Sequence, residues 1–401
     1  MQKKLMILGG SRYILPVIRK AHELGVYVIT CDYLPDNIAH QYSDLYCNIS
    51  IIDKDAVLAK ARELGIDGIM SFGCDPGVVT AAYVAEKMGL PSVGSYEAVS
   101  ILQNKGRFRK FLTDNGFNVP VSKSYTEKDA VFNDVNLFNW PVIVKPTDSA
   151  GSKGVSKVEK ADDLDKAIDF ALDNSHCHEF IVEDFLLQDG FSSDCDAFSI
   201  NGNLIFCSFN SQRFDVKAEN PYTPAAYSWP TSMSKENCEE LKSELQRLVK
   251  LLDLKTSIYN VETRRCVNGK PYIMEFSPRG GGNRLSEMVK IITDVDLIEA
   301  SIKASLGMKI ENVEERLFKF PLAEVILHSD RKGVFKKLVI SDDMKKNIIE
   351  EDLWVKPGDS VGGFRGANES IGTLVLKFDS EEELNATLLD LDKWLKIELE
   401  K

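Results

Sequence analysis

The sequence predicts a mixed α/β and α+β protein. An amino-terminal parallel α/β domain leads into a larger α+β region and then a β-rich tail. Three observations predict this. Strand and helix patterns alternate through the first part of the chain, a hairpin signal lies within SIYNVETRRCVNGKPYIMEFSPR (258–280), and strand-like runs dominate from Val313 onward. The chain of 401 residues is long enough for more than one core, and the changes of texture set domain bounds at 1–102, 103–312 and 313–401.

In the first domain LMILGG (5–10) reads as a strand, followed by a helix to Leu24 and a second strand, YVITCDY (27–33). A helix over 56–64, the strand GIMSF (68–72) and a helix over 78–88 complete the alternation that implies a parallel sheet. Gly9-Gly10 at a strand end suggests a dinucleotide unit, but the full G-x-G-x-x-G is missing. Gly9, Gly10 and Ser11 sit at a strand end where a substrate is expected, and Asp75, after the strand GIMSF, reads either as a ligand contact or as a helix cap.

The middle region opens with a helix over 104–116 and the strand PVIVKP (141–146). The loop TDSAGSKG (147–154) separates that strand from VSKV, and its small residues let backbone N–H groups turn inward around an anion, with Lys145 and Lys153 adding charge. The same composition also suits an ordinary hairpin loop. A helix over 162–173, the strand EFIVEDFL (179–186) and two strands flanking Asn201-Gly202-Asn203 follow. Residues 210–232, with Pro221, Pro224 and Pro230, read as a long loop before a helix over 235–252. In the hairpin, a two-residue Asn268-Gly269 turn would pair Val267 with Lys270 and put Pro271 in a non-hydrogen-bonded position. In that register Glu262 faces Glu275 and Asn260 faces Ser277. Like charges in facing positions repel, so a cation is expected between the glutamates. Mg²⁺, which takes one or two carboxylates plus phosphate oxygens, suits the place. The tail carries the strands LAEVILH, GVFKKLVI and GTLVLKF and a closing helix over 381–397.

Apolar content of 44% and charged content of 27% are those of a globular protein. A net charge of −12 without a basic run argues against a nucleic-acid partner. No apolar run is long enough to span a membrane, and the apolar stretch of MQKKLMILGG is too short for a signal peptide. Eight scattered cysteines with no C-x-x-C imply reduced thiols in a cytoplasmic protein. His176-Cys177-His178 reads as surface, since histidines two apart on a helix end point in different directions.

Lys105, Lys145, the glycine-rich loop, VEDFL (182–186), Glu262 and MEFSPRGGG (274–282) together resemble the ATP-grasp superfamily of carboxylate–amine ligases. The nearest likeness is to the branch containing biotin carboxylase, the large-subunit halves of carbamoyl-phosphate synthase and the amino-acid ligases. It covers nearly the whole chain, with an amino-terminal pre-ATP-grasp domain, an ATP-grasp module and a β-rich C-terminal subdomain around KPGDSVGG (356–363). The resemblance implies ATP with Mg²⁺, or Mn²⁺ in its place. It implies a small-molecule acid and an amine as substrates, and it allows a homodimer. Lys105 and Lys145 would contact the phosphates, with Ser149, Gly151, Ser152 and Gly154 cradling them. Glu183 would accept from the adenine amino group, and the backbone of Asp184, Phe185 and Leu186 would match the ring edge. Glu262, Glu275 and Ser277 would hold the metal, while Arg279 and Lys153 would stabilise the transferring phosphoryl group. Three positions depart from the family pattern: Ser277 replaces an asparagine, Ser192 an acidic ribose contact, and Tyr227 in AYSWP (226–230) a histidine. The implied reaction is amide formation through an acyl phosphate. Bicarbonate activation and a non-catalytic ATP-binding regulator are the alternatives.

Overall fold

The computed structural model describes residues 2–149 and 151–400; Ala150 of the glycine-rich loop lies outside the described residues. Strands β1 (Lys4–Leu8), β2 (Tyr27–Asp32), β3 (Leu45–Asn48) and β4 (Gly68–Ser71) form a parallel sheet ordered β3-β2-β1-β4. Alternate residues of β1 face opposite cores. Leu5 and Ile7 pack with the helix Leu15–Glu23, while Met6 and Leu8 pack with the helices Lys54–Leu64 and Val78–Met88. The short strand β3 carries too few apolar residues to stand out in the sequence.

Strands β5 (Ser122–Tyr125), β6 (Val142–Pro146), β7 (Ser156–Val158) and β8 (Phe180–Asp184) make an antiparallel sheet ordered β5-β8-β6-β7, covered by the helix Leu164–Asp173. Six strands follow in the chain: β9 (Ser193–Ile200), β10 (Asn203–Cys207), β11 (Ser211–Phe214), β12 (Pro224–Trp229), β13 (Ser257–Arg265) and β14 (Pro271–Ser277). The order β10-β9-β13-β14 forms a third sheet, whose core is closed by Leu241, Leu245 and Leu248 of the helix Lys235–Leu251. The last strands are β15 (Leu322–Leu327), β16 (Gly333–Ile340), β17 (Ile348–Leu353), β18 (Ser360–Val361), β19 (Gly372–Lys377) and β20 (Leu395–Leu399).

The structure corrects three expectations. Residues 210–232 are not a loop, because β11 and β12 lie there in a sheet ordered β11-β12-β15-β19-β17. Pro224 begins β12 and Pro230 follows its end, so neither removes an interior ladder donor. The pairing of β12 with β15 runs across the expected bound at 312/313, so strand pairing does not break there. The closing helix spans Glu381–Leu388, after which the chain returns as β20 on β16. The hairpin turn has three residues rather than two. Cys266 donates to Lys270, Gly269 takes φ +76°, and Pro271 faces Arg265. A bulge at Met274 then restores the register, so Glu262 still faces Glu275 and Asn260 faces Ser277.

The first sheet docks onto the chain after β14. Phe72 bridges Gly280, and the Gly73 N–H donates to the Gly280 carbonyl at 3.0 Å. A Cβ on Gly280 would lie 2.2 Å from the Phe72 ring, so the approach requires glycine.

Candidate active site

Three strands bring acidic residues into one row, since Glu262 on β13 faces Glu275 on β14 and Asp194 on β9. The next row holds Asp196, Asn260 and Ser277. Burial, then the charge of Glu262, pushes Asp194 up to about 7. Burial likewise lifts Asp196 to about 6, against hydrogen bonds from Ser286 and the Gly281 N–H. The D-x-D spacing of Asp194 and Asp196 was a usable signal that the sequence reading passed over.

Asp75 is neither a helix cap nor a free ligand contact. It reaches from the end of β4 to Arg279, which donates through Nε at 2.9 Å and Nη2 at 2.7 Å. Burial works against the Asp75 charge, but Arg279 outweighs it and holds the carboxyl below its ordinary value. The Ser277 hydroxyl donates to Asp75 at 2.7 Å and accepts from Gln103 at 2.9 Å. Through these two bonds Ser277 braces Asp75. Arg279 lies beside the acidic rows, with its guanidinium anchored to Asp75.

The glycine-rich loop joins β6 to β7 and is tied at its ends. Lys105 donates from its backbone to Thr147 and from Nζ to the Ser149 carbonyl at 2.7 Å, and Nζ also lies 4.0 Å from Glu275. Asp148 accepts from the backbone N–H groups of His176 and Cys177, which gives the His-Cys-His stretch an anchoring role through its main chain. Gly151, Ser152 and Gly154 all have positive φ, Ser152 donates to the Tyr222 carbonyl, and Lys153 is exposed. A Cβ on Gly154 would meet Pro146 at 2.7 Å and Asn174 at 2.8 Å.

Behind the loop, Glu183 pairs with Lys145 at 2.6 Å and with Arg109 at 2.7 Å, almost wholly out of water. Burial alone would raise the Glu183 pKa, but Arg109 and then Lys145 pull it down to about 2. Burial is also the largest influence on Lys145 and lowers its pKa despite Glu183. Arg109, which the sequence reading missed, comes from the helix Lys105–Asp114 and also donates to the Met274 carbonyl at the bulge. Its only sequence signal was a charge between Phe108 and Leu112 on an apolar helix face. Each Glu183 oxygen keeps a lone pair for a further donor. Of the expected hinge amides, those of Asp184 and Phe185 are already committed to the carbonyls of Val121 and Pro141. This follows from the course of β8, which is paired on both sides through Asp184.

Among the described residues no three His, Cys, Asp or Glu side chains form a group able to hold a metal unaided. All eight cysteines are free, and among the described residues no helix is long and apolar enough to cross a membrane.

Residues 138–287 match a family model described as the ATP-grasp domain. The formate-dependent phosphoribosylglycinamide formyltransferase of Parasynechococcus marenigrum is 25% identical over 315 residues, covering 78% of this chain and 78% of that protein. The L-amino acid ligase from Bacillus licheniformis superposes with a TM-score of 0.81 at 20% identity, covering 100% of this chain and 99% of that one. Phosphoribosylglycinamide synthetase from Anaerococcus prevotii gives a TM-score of 0.77 at 20% identity, covering 100% of both chains. Residues 138–287 are therefore similar to the ATP-grasp domain, within a fold that both solved structures share from end to end.

Proposed function

We propose that the protein is an ATP-dependent ligase that activates a small-molecule carboxylate as an acyl phosphate and joins it to an amine. The observation that carries this reading is the facing pair Glu262/Glu275 beside Arg279 and Lys105. The names of the relatives, a formate-dependent formyltransferase, a synthetase and an amino acid ligase, favour the same class.

Two facing carboxylates suit Mg²⁺, because they give half a shell of oxygens and ATP phosphates complete it. When bound, Mg²⁺ neutralises charge on the phosphates, and Glu262 and Glu275 are the residues that would hold it. Lys105 and Lys145 hold phosphate oxygens, and the buried Glu183 keeps Lys145 in one orientation. The substrate carboxylate attacks the γ-phosphorus, the P–O bond to the β-phosphate breaks, and ADP leaves. Arg279, aimed by Asp75, meets the charge on the transferring group. An amine then attacks the acyl carbon and expels phosphate, giving the amide. Residues 147–154 shield the acyl phosphate from water in the interval.

The test is Glu275→Gln, a change at a half-exposed residue. ADP release over a panel of acids and amines should fall by about 100-fold or more, the scale of losing charge stabilisation at a reacting phosphate, with the melting temperature nearly unchanged. Turnover close to the parent's would remove the metal assignment.

A further inference from the structure

Glu324 has no part in the reaction above, yet it is one of the least comfortable residues in the molecule. It lies on β15 with 0% exposure, between Tyr227 and Val375 on the neighbouring strands. Leu322 and Ile326, on the same face, are apolar and buried, so the sheet itself would be better served by a hydrocarbon side chain. Neither oxygen of Glu324 has a hydrogen-bond partner among the described residues. A buried carboxylate without a partner is costly to fold, and its persistence calls for a ligand or a proton.

The surroundings point to a ligand. The Tyr13 hydroxyl, Asn283 Oδ1 and Ser370 Oγ are likewise buried and without partners among the described residues. They come from three separate parts of the chain: the loop after β1, the turn after β14 and the segment before β19. Burial and then Glu324 push the Tyr13 phenol up to about 12, which places the two groups within electrostatic reach. Tyr13 stands edge-on to Trp354, with ring centroids 6.3 Å apart, and Arg12 lies 5.1 Å from the Trp354 centroid.

Arg284 attracts the Glu324 charge through space, but burial outweighs it and no cation is hydrogen-bonded to Glu324 among the described residues. Arg284 is bonded to Glu287, to Thr373 at 3.0 Å and to Glu350 at 2.7 Å. Arg19 acts on Glu287 from beyond that cluster. The Tyr227 hydroxyl donates to Asp194 at 3.1 Å and accepts from Asn283 at 3.1 Å, so the cluster adjoins the acidic rows of the active site.

We propose that Glu324 recognises a cationic amino group carried by one of the substrates. An ammonium has three donors and no acceptor, and the two Glu324 oxygens with Asn283 Oδ1 are three acceptors that lack donors. Tyr13 and Tyr227 add aromatic rings whose faces suit a cation. A protonated amine has no lone pair, so this group is a handle and not the nucleophile. The substrate is then an amino acid activated at its carboxyl group, or a diamine that reacts at its other nitrogen. The location rests on the ligase reading; the ammonium preference does not.

The experiment measures binding by calorimetry in the presence of Mg²⁺ and a non-hydrolysable ATP analogue. The probes are glycine, L-alanine, β-alanine, L-lysine and putrescine, with acetate, propionate and butanol as controls lacking the amine. At least one amine should bind and its control should not. Glu324→Gln should weaken that binding tenfold or more while leaving affinity for the ATP analogue unchanged. Glu324→Leu, as a second variant, should match or exceed the parent's melting temperature without ligand. Equal amine affinity in parent and Glu324→Gln, no amine bound better than its control, or a large drop in melting temperature for Glu324→Leu would each overturn the proposal. ADP release is followed in parallel. Release with an unchanged KM for the amine in Glu324→Gln would sink this inference and spare the ligase; Glu324-dependent binding without any release would do the reverse.

Discussion

Glu183 meets two cations, Arg109 and Lys145, in a place nearly free of water, and that sets how the protein responds to acid. Its pKa is held at about 2 in the fold against an ordinary 4.5. A depressed carboxyl contributes stability that is fully present above its unfolded value and is lost as pH falls through the folded one. The stabilisation should therefore fade between about pH 4.5 and about pH 2. Arg109→Met removes the stronger pull, so its acid unfolding limb should move to higher pH than the parent's. Thermal melts across that range read the shift, and coincident acid limbs would contradict it. The residue scale is also where sequence reading fell short. Glu183, Lys145 and Arg279 are site candidates from motif order, but Arg109 and the bracing of Asp75 by Ser277 join residues far apart in the chain. Such contacts leave no local pattern to read.

The loop between β6 and β7 is an element whose sequence already states its behaviour. Thr147–Gly154 has small residues, left-handed turns at three described positions and an exposed Lys153. Its ends are tied by Lys105, Asp148 and Ser149, but its middle offers little apolar anchorage. Phosphate oxygens would give its amides and Lys153 new partners and offset the entropy of ordering it. Trypsin should cut after Lys153 readily in the free protein and about tenfold more slowly with an ATP analogue and Mg²⁺, the scale of a modest ordering free energy. Mg²⁺ alone should change little, and identical rates in all three conditions would argue against a phosphate lid. The hairpin teaches a different lesson at this scale. Its turn is one residue longer than the Asn-Gly signal implies, and the bulge at Met274 returns the facing register that the shorter turn would have made. The facing pair was therefore legible in the sequence, while the path to it was not. The bulge is useful in its own right, since the Met274 carbonyl receives Arg109.

Across the whole molecule, β12 belongs in sequence to the middle region but pairs with β15 from the tail, and the buried Tyr227 and Trp229 depend on that pairing. A chain ending at Asn312 would leave the inner edge of β12 and its apolar face in water. It should show no cooperative thermal transition where the full chain does; a sharp melt in the truncated protein would establish 1–312 as an independent unit. The alternating strands of the first domain, the position of the glycine-rich loop and the facing of Glu262 and Glu275 could all be determined from sequence, because each follows from periodicity or turn chemistry within a short window. The strands at 211–229, the Arg109–Glu183–Lys145 cluster and the unpartnered Glu324 were decided only by the tertiary structure. In each of these the deciding energy is burial or charge pairing between distant segments, which no local stretch of sequence carries.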